Sequence, residues 1–342
     1  GSARLGGTME LSSKTQQAFA RTASQLSRRP ALVGFDATRE ADGTIGGCAV
    51  HQLRALAALG LEARFMGQVP GDAVAAVDAH AAAADADDAE GKAEATADKG
   101  EGEGERETTP DPWAAFASEA RALAGSPTAA GHLDYAAILA EAGEGAVLDA
   151  LARAELFVFT GWDRVAGFPE VLEAILDRAF ANFGDLMPRV FVMALNDAAR
   201  RPRHELSTAL QLARRYQARG HVVLTLGAGD ALRAAESVGL NRWSATGLDA
   251  LKVGAQRLRQ EFQIGAVAIH GSDGLALARR EGTAGKPLPM PATEAAAAAF
   301  HAALGVARLL ELSADAAVEL AAVALSFLET HQRFPDRNAF LA

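Results

Sequence analysis

The chain is 342 residues long, 49% hydrophobic, and carries a formal net charge of −10. That length and apolar content suffice for the core of one large or two ordinary domains, and a single cysteine, Cys48, excludes an internal disulfide framework or a cysteine-based zinc site. No apolar run reaches membrane-spanning length and the N-terminus lacks the apolar core of a signal peptide, so a cytoplasmic protein with no membrane or nucleic-acid partner is expected.

The acidity is local. Between Asp78 and Asp111 lie twelve acids and three bases, a net of −9 that leaves the remainder at −1. Within this stretch, residues 80–112 are rich in Ala, Asp, Glu and Gly and have no aromatic residue and no apolar period. They read as an acidic low-complexity insert, disordered or loosely helical. Such tracts are mostly solvated spacers; the functional rival is a docking segment for a basic protein partner.

In chain order, residues 10–28 read as a polar helix, so 1–28 form an N-terminal extension ahead of a single domain over 29–342. Ala31-Leu-Val-Gly-Phe-Asp36 is a buried first strand. Gly46 and Gly47 open an amphipathic helix that stops at Gly60. Leu61 to Val69 is a strand, and beyond the acidic tract Trp113 to Ala124 reads as helix. A helix over 146–154 leads into the strand Glu155–Thr160, which ends at Gly161-Trp-Asp163. Helix 169–180, strand 189–195, helix 205–219 and strand 221–226 follow, then an exit loop over Gly227-Ala-Gly-Asp230. After helix 249–262 comes a hairpin of two buried strands turning through His270-Gly-Ser-Asp-Gly274. Residues 295–328 close the chain as two alanine-rich helices. This alternation predicts a doubly wound, mostly parallel α/β sheet in three layers, α/β/α.

Chemistry-bearing positions cluster where strands end. Asp36 ends the first strand, where open α/β sheets bind ligands, and Asp230 follows the strand at 221–226. Each also has a structural reading, Asp36 as a turn cap and Asp230 as a helix N-cap. Asp197 and Arg200 could handle an anion or form an ordinary surface pair. Cys48 reads as a small buried hydrophobe. The eight histidines show no ligand spacing, so no metal site is expected.

The order of these segments resembles the ribokinase (PfkB) family of carbohydrate kinases. Val33-Gly-Phe-Asp36 matches the start of one branch, and Gly46-Gly47 matches the glycine pair of its first signature. Leu195-Asn-Asp-Ala-Ala-Arg-Arg201 resembles Leu-Ala-Asp-Pro-x-Lys-Arg. His270 to Gly274 keeps the glycines of a nucleotide-side turn. The resemblance implies sugar contacts from Asp36, Glu40, Gly46 and Gly47, and nucleotide-side contacts from Asp230, Gly271 and Gly274, with ATP and magnesium as cofactors.

The catalytic loop departs from the pattern. Where the family has Asp-Thr-Thr-Gly-Ala-Gly-Asp-Ala-Phe, the chain has Pro291-Ala-Thr-Glu-Ala-Ala-Ala-Ala-Ala-Phe300. With Phe300 on the family phenylalanine, Ala298 stands at the catalytic aspartate and Ala295, Ala296 and Ala297 stand at the anion hole. The family's Asn-x-x-Glu reads Gly227-x-x-Asp230. Nine residues, Ala37 to Ile45, are too few for the two-stranded lid of the family, so the β lid is expected to be absent or vestigial. The resemblance thus implies a sugar-kinase homologue without its base, a binding or assembly module whose ATP/Mg use is weak or lost. The alternative is an active carbohydrate or nucleoside kinase with a relocated base, Glu294 or Asp230.

Overall fold

Apolar runs that send alternate side chains to opposite faces build one sheet. A computed structural model describes residues 9–27, 29–35, 38–39, 45–46, 48–68, 123–125, 132–183, 188–240, 246–288 and 293–341. Asp36, Glu40, Gly47 and the acidic tract 80–112 lie outside these residues.

The strands in chain order are β1 (Pro30–Gly34), β2 (Thr38–Arg39), β3 (Ile45–Gly46), β4 (Glu62–Gln68), β5 (Leu123–Gly125), β6 (Leu156–Phe159), β7 (Val190–Ala194), β8 (His221–Gly227), β9 (Ala266–Gly271), β10 (Gly274–Arg279) and β11 (Gly282–Lys286). Nine of them form one sheet in the order β11-β10-β9-β8-β7-β6-β1-β4-β5. Pairings from β5 to β9 are parallel, and β10 and β11 add antiparallel at one edge. The order reverses between β1 and β6, the switch point at which open α/β sheets form their ligand crevice. β2 and β3 pair over two residues each and stand apart from the main sheet.

Helices cover both faces. On one lie α1 (Ser13–Thr22), α2 (Cys48–Ala58), α9 (Glu294–Leu309) and α10 (Ala314–His331). On the other lie α3 (Tyr135–Ala142), α4 (Glu144–Arg153), α5 (Phe168–Ala174, continued by a π-helical turn to Ala179), α6 (Arg203–Gln217), α7 (Ala228–Ser237) and α8 (Leu248–Phe262). The period of two sorts strand residues between these cores. Leu156, Val158, Val190 and Val192 face the first; Phe157, Phe159, Phe191 and Met193 face the second.

The two cores differ in kind. The second is aromatic: Phe159, Phe180 and Phe191 surround Tyr216, whose hydroxyl donates to the Leu172 carbonyl at 2.8 Å, and Phe157 packs on Phe180 and Phe191. The first is filled by the alanines of α9 and α10, which pack on each other and on the sheet.

Three expectations need correction. Leu123 and Ala124, read as the end of a helix, belong to β5, because their backbone completes the edge of β4 through Met66 and Gly67. Residues 228–230, read as loop, already belong to α7. Cys48 is half-exposed at the first turn of α2 rather than buried.

Small residues let α9 lie close to the sheet. A β-carbon on Gly305 would stand 3.0 Å from Leu156 Cδ1 and 3.1 Å from Val192 Cγ2. Gly305→Val is therefore expected to destabilise the protein by about 2 kcal/mol through overpacking, read as a lower urea midpoint at unchanged m-value. An unchanged midpoint would contradict the close approach.

Candidate functional site

The C-terminal ends of β1, β6, β7 and β8 and the N-terminus of α9 meet at one edge of the sheet. Gly34 closes β1, and its carbonyl accepts from both the backbone N–H (2.8 Å) and the hydroxyl (3.1 Å) of Thr160. The chain then turns through Gly161, Trp162 and Asp163. Trp162 is fully buried, edge-on to Phe168. Arg201 braces this turn: its guanidinium lies 5.6 Å from the Trp162 ring, and it donates to the carbonyls of Trp162 (3.0 Å) and Val165 (2.5 Å).

Charge gathers beyond the brace. The Asp163 carboxylate is only 8% exposed, with Arg164 Nε and Arg200 Nη1 each 3.5 Å from Oδ2. Burial pushes its pKa above the usual carboxylate range, against the pull of Arg164. Arg164 also pairs with Glu294, the first residue of α9. The other oxygen of Glu294, Oε2, is buried and accepts no hydrogen bond from the described residues. Asp197, at φ 51°, pairs with Arg200 at 3.8 Å.

Asp230 does not cap its own helix, as the sequence suggested; Gly227 is the N-cap of α7. The carboxylate instead reaches sideways, accepting from the backbone N–H groups of Asp197 (3.1 Å) and Ala198 (2.8 Å). Burial raises its pKa, and those two donors oppose the rise. Gly227 leaves the space it occupies: a β-carbon there would meet Asp230 Oδ2 at 2.9 Å. Asp230 thus staples the exit loop of β7 to that of β8.

The alanine run is helix from its first residue. Thr293 caps it, its hydroxyl accepting from Ala296 N–H at 3.1 Å and its carbonyl from Ala297 N–H at 3.0 Å. None of residues 294–298 has positive φ. Ala298 is 2% exposed, and the Gln52 amide lies against its carbonyl at 3.1 Å and the Ala302 amide at 3.2 Å. Gly271 ends β9 beside Ala228 at the start of α7, so it joins the β8 exit. Gly274 faces the Lys286 carbonyl of β11 and belongs to the hairpin. Between them, Asp273 accepts from Gly247 N–H at 2.7 Å. Gly46 is placed in β3, away from the main sheet.

The sequence reading passed over Asp163 as a strand-end marker and did not single out Arg164. A charged pair four and five residues past a fully apolar strand was the available signal.

Two histidines lie behind this edge. His301 Nε2 is 3.0 Å from Thr225 Oγ1, and His270 stacks edge-on to Phe300 with its Nε2 buried and unpartnered among the described residues. Burial holds the His270 pKa down at about 4; burial and then His270 hold His301 at about 3.

Both folded values lie below the ordinary value of 6.5. As pH falls through 6.5 the unfolded chain takes up two protons that the folded chain refuses. The contribution is whole above that pH and is lost between it and the folded values, with a combined slope of at most about 2.7 kcal/mol per pH unit. Denaturant titrations at stepped pH are expected to show His301→Gln losing about half of this slope. An unchanged slope would mean that the rings charge within the folded protein.

Solved structures share this fold. A point mutant of phosphofructokinase-2 from Escherichia coli aligns over 92% of this chain and 97% of its own, with a TM-score of 0.51 and 15% identity. An Enterococcus faecalis protein assigned as a 2-keto-3-deoxygluconate kinase aligns over 92% and 95%, with a TM-score of 0.53 and 12% identity. The fold is that of the ribokinase-like kinases. No protein-family profile matches the chain, and no curated protein does.

Proposed function

We propose that this chain is a non-catalytic relative of the sugar kinases whose fold it shares, a binding or assembly module rather than a phosphotransferase. The observation that carries this reading is Ala298, which the resemblance aligns with the catalytic base and which is 2% exposed within a continuous helix.

Phosphoryl transfer to an alcohol needs a group that accepts the hydroxyl proton and fixed donors for the moving charge. An alanine accepts no proton. The amides of Ala296 and Ala297, which an anion hole would use, are spent on Thr293. A magnesium nucleotide needs carboxylate oxygens free to face the ion or its waters. Both oxygens of Asp230 already accept from backbone N–H groups. Asp230 is thereby committed to joining two loops rather than held open for an ion, which supports weak or lost use of magnesium ATP. A small ligand would meet Asp163, Arg164 and Arg200 instead, a polar rim suited to hydroxyls or a weakly held anion.

One observation favours an active kinase with a relocated base. Glu294 Oε2 is buried without a hydrogen bond, a carboxylate oxygen with capacity to take a proton. Against this, Arg164 already neutralises the group.

A coupled assay with magnesium ATP over a panel of sugars and nucleosides separates the readings. No turnover is expected. Turnover that Glu294→Gln or Asp230→Asn abolishes would replace the proposal with the second reading. Thermal-shift measurements with ATP, ADP and the same sugars report binding without chemistry. Ala298→Asp would bury a carboxylate beside Gln52 and is expected to cost about 3 kcal/mol of stability without restoring turnover.

A further inference from the structure

A polar cleft of about 570 Å³ opens at the opposite edge of the sheet, where β8 and β9 begin and β10 ends. Its lining includes Arg259 of α8, Arg279 of β10, the adjoining Arg280, and Arg308 of α9. Glu281 is the one carboxylate among the lining residues.

The arginines are poorly compensated. Arg279 is 2% exposed; it donates to the Leu312 carbonyl, stands 3.9 Å from Glu281, and has a buried Nε with no partner. Burial and the charge of Arg308 pull its pKa down to about 10, so it stays charged at neutral pH. Arg280 and Arg308 make no ion pair among the described residues, and Arg259 reaches only Gln256, at 3.4 Å. A buried guanidinium with an unmade hydrogen bond is costly unless a partner arrives.

The neutral lining has the same polarity. Gln217 Oε1 accepts from Gly265 N–H (2.6 Å) and Val222 N–H (3.1 Å), and Gln263 Oε1 accepts from Arg214 (2.7 Å). With both lone pairs of its oxygen taken, the Gln217 carboxamide can offer only its NH2 donors to the cleft, and the Gln263 oxygen is partly committed to Arg214. Four guanidinium groups and three glutamines against one acid make a donor-rich wall with a formal excess of three positive charges.

We propose that this cleft is a binding site for a small multivalent anion of the phosphate class, such as a diphosphate group. Guanidinium forks match the oxygens of phosphate in pairs, and the charge excess matches an ion of two to four negative charges. The site is separate from the edge that carries Asp163 and Glu294. Its occupancy would tie the β10 end, through Arg279 and Arg280, to the C-terminal turn of α9, through Arg308.

Titration calorimetry with inorganic pyrophosphate tests the site, with citrate as a second arm at matched ionic strength. Saturable one-to-one pyrophosphate binding is expected. Arg308→Gln and Arg280→Gln, chosen because neither guanidinium carries a described structural hydrogen bond, are each expected to weaken it about tenfold. Arg203→Gln, an exposed substitution on α6 that removes the same charge, is expected to leave it unchanged. His221 lines the cleft and gives a local signal. Its pKa is held down by burial and Arg308, with Arg279 acting the same way and Glu311 and Glu281 opposing; a bound anion is expected to raise it in an NMR titration. Absent saturation, equal binding by the Arg308 and Arg280 variants, or an unmoved His221 would overturn the proposal. Citrate binding as tight as pyrophosphate would overturn the phosphate assignment.

Discussion

The distance between α9 and the sheet governs much of the rest. Alanines at 296, 299, 302, 303 and 307, with Gly305, let the helix settle against Leu156 and Val192 and receive α10 on its other side. Close contact of this kind is worth many small dispersion gains, and it is lost if one larger side chain intrudes. It also fixes the helix axis along its length. Sixteen residues span about 24 Å, so α9 begins at one edge of the sheet and ends at the other. Glu294 meets Arg164 at its start, and Arg308 enters the basic cleft at its end.

The two edges treat charge in opposite ways. At the C-terminal edge, the described carboxylates are already engaged: Asp163 with two arginines, Asp230 with two backbone amides, Glu294 with Arg164. Such internal satisfaction stiffens the exit loops and leaves little unpaired charge for a ligand to exploit. At the N-terminal edge, arginines converge on one another with a single acid among them. Repulsion between Arg279 and Arg308 is tolerated because each is anchored elsewhere, Arg279 by the Leu312 carbonyl and Arg308 by its helix.

What could be read from the sequence followed from period and punctuation. Strands such as 156–159 and 190–194 are continuous apolar runs between polar turns, and they stand where those runs predict. The three-layer arrangement follows from their alternation with helices. The failures were local. β11 is Gly-Thr-Ala-Gly-Lys, whose strand character comes from pairing with β10 rather than from its side chains. β5 is a strand only because β4 offers an edge. The role of Asp230 was illegible because its partners, the amides of Asp197 and Ala198, lie more than thirty residues away in sequence. The basic cleft was missed for the same reason: its arginines are distributed over three elements and the turn after β10, and no spacing links them.

In the register that sets Phe300 on the phenylalanine of the resembled family, a capped helix begins at α9 where that pattern has a glycine loop. Each glycine replaced by alanine favours helix by about 1 kcal/mol, and a threonine N-cap adds about as much again. Anion-binding loops hold backbone in conformations that cost free energy, and that strain persists only while function maintains it. The sequence Thr293-Glu-Ala-Ala-Ala-Ala298 lies on the relaxed side of that exchange, with cap, propensity and packing all in agreement. Restoring a carboxylate at 298 would oppose all three at once. That agreement across levels is the physical support for the proposal made above.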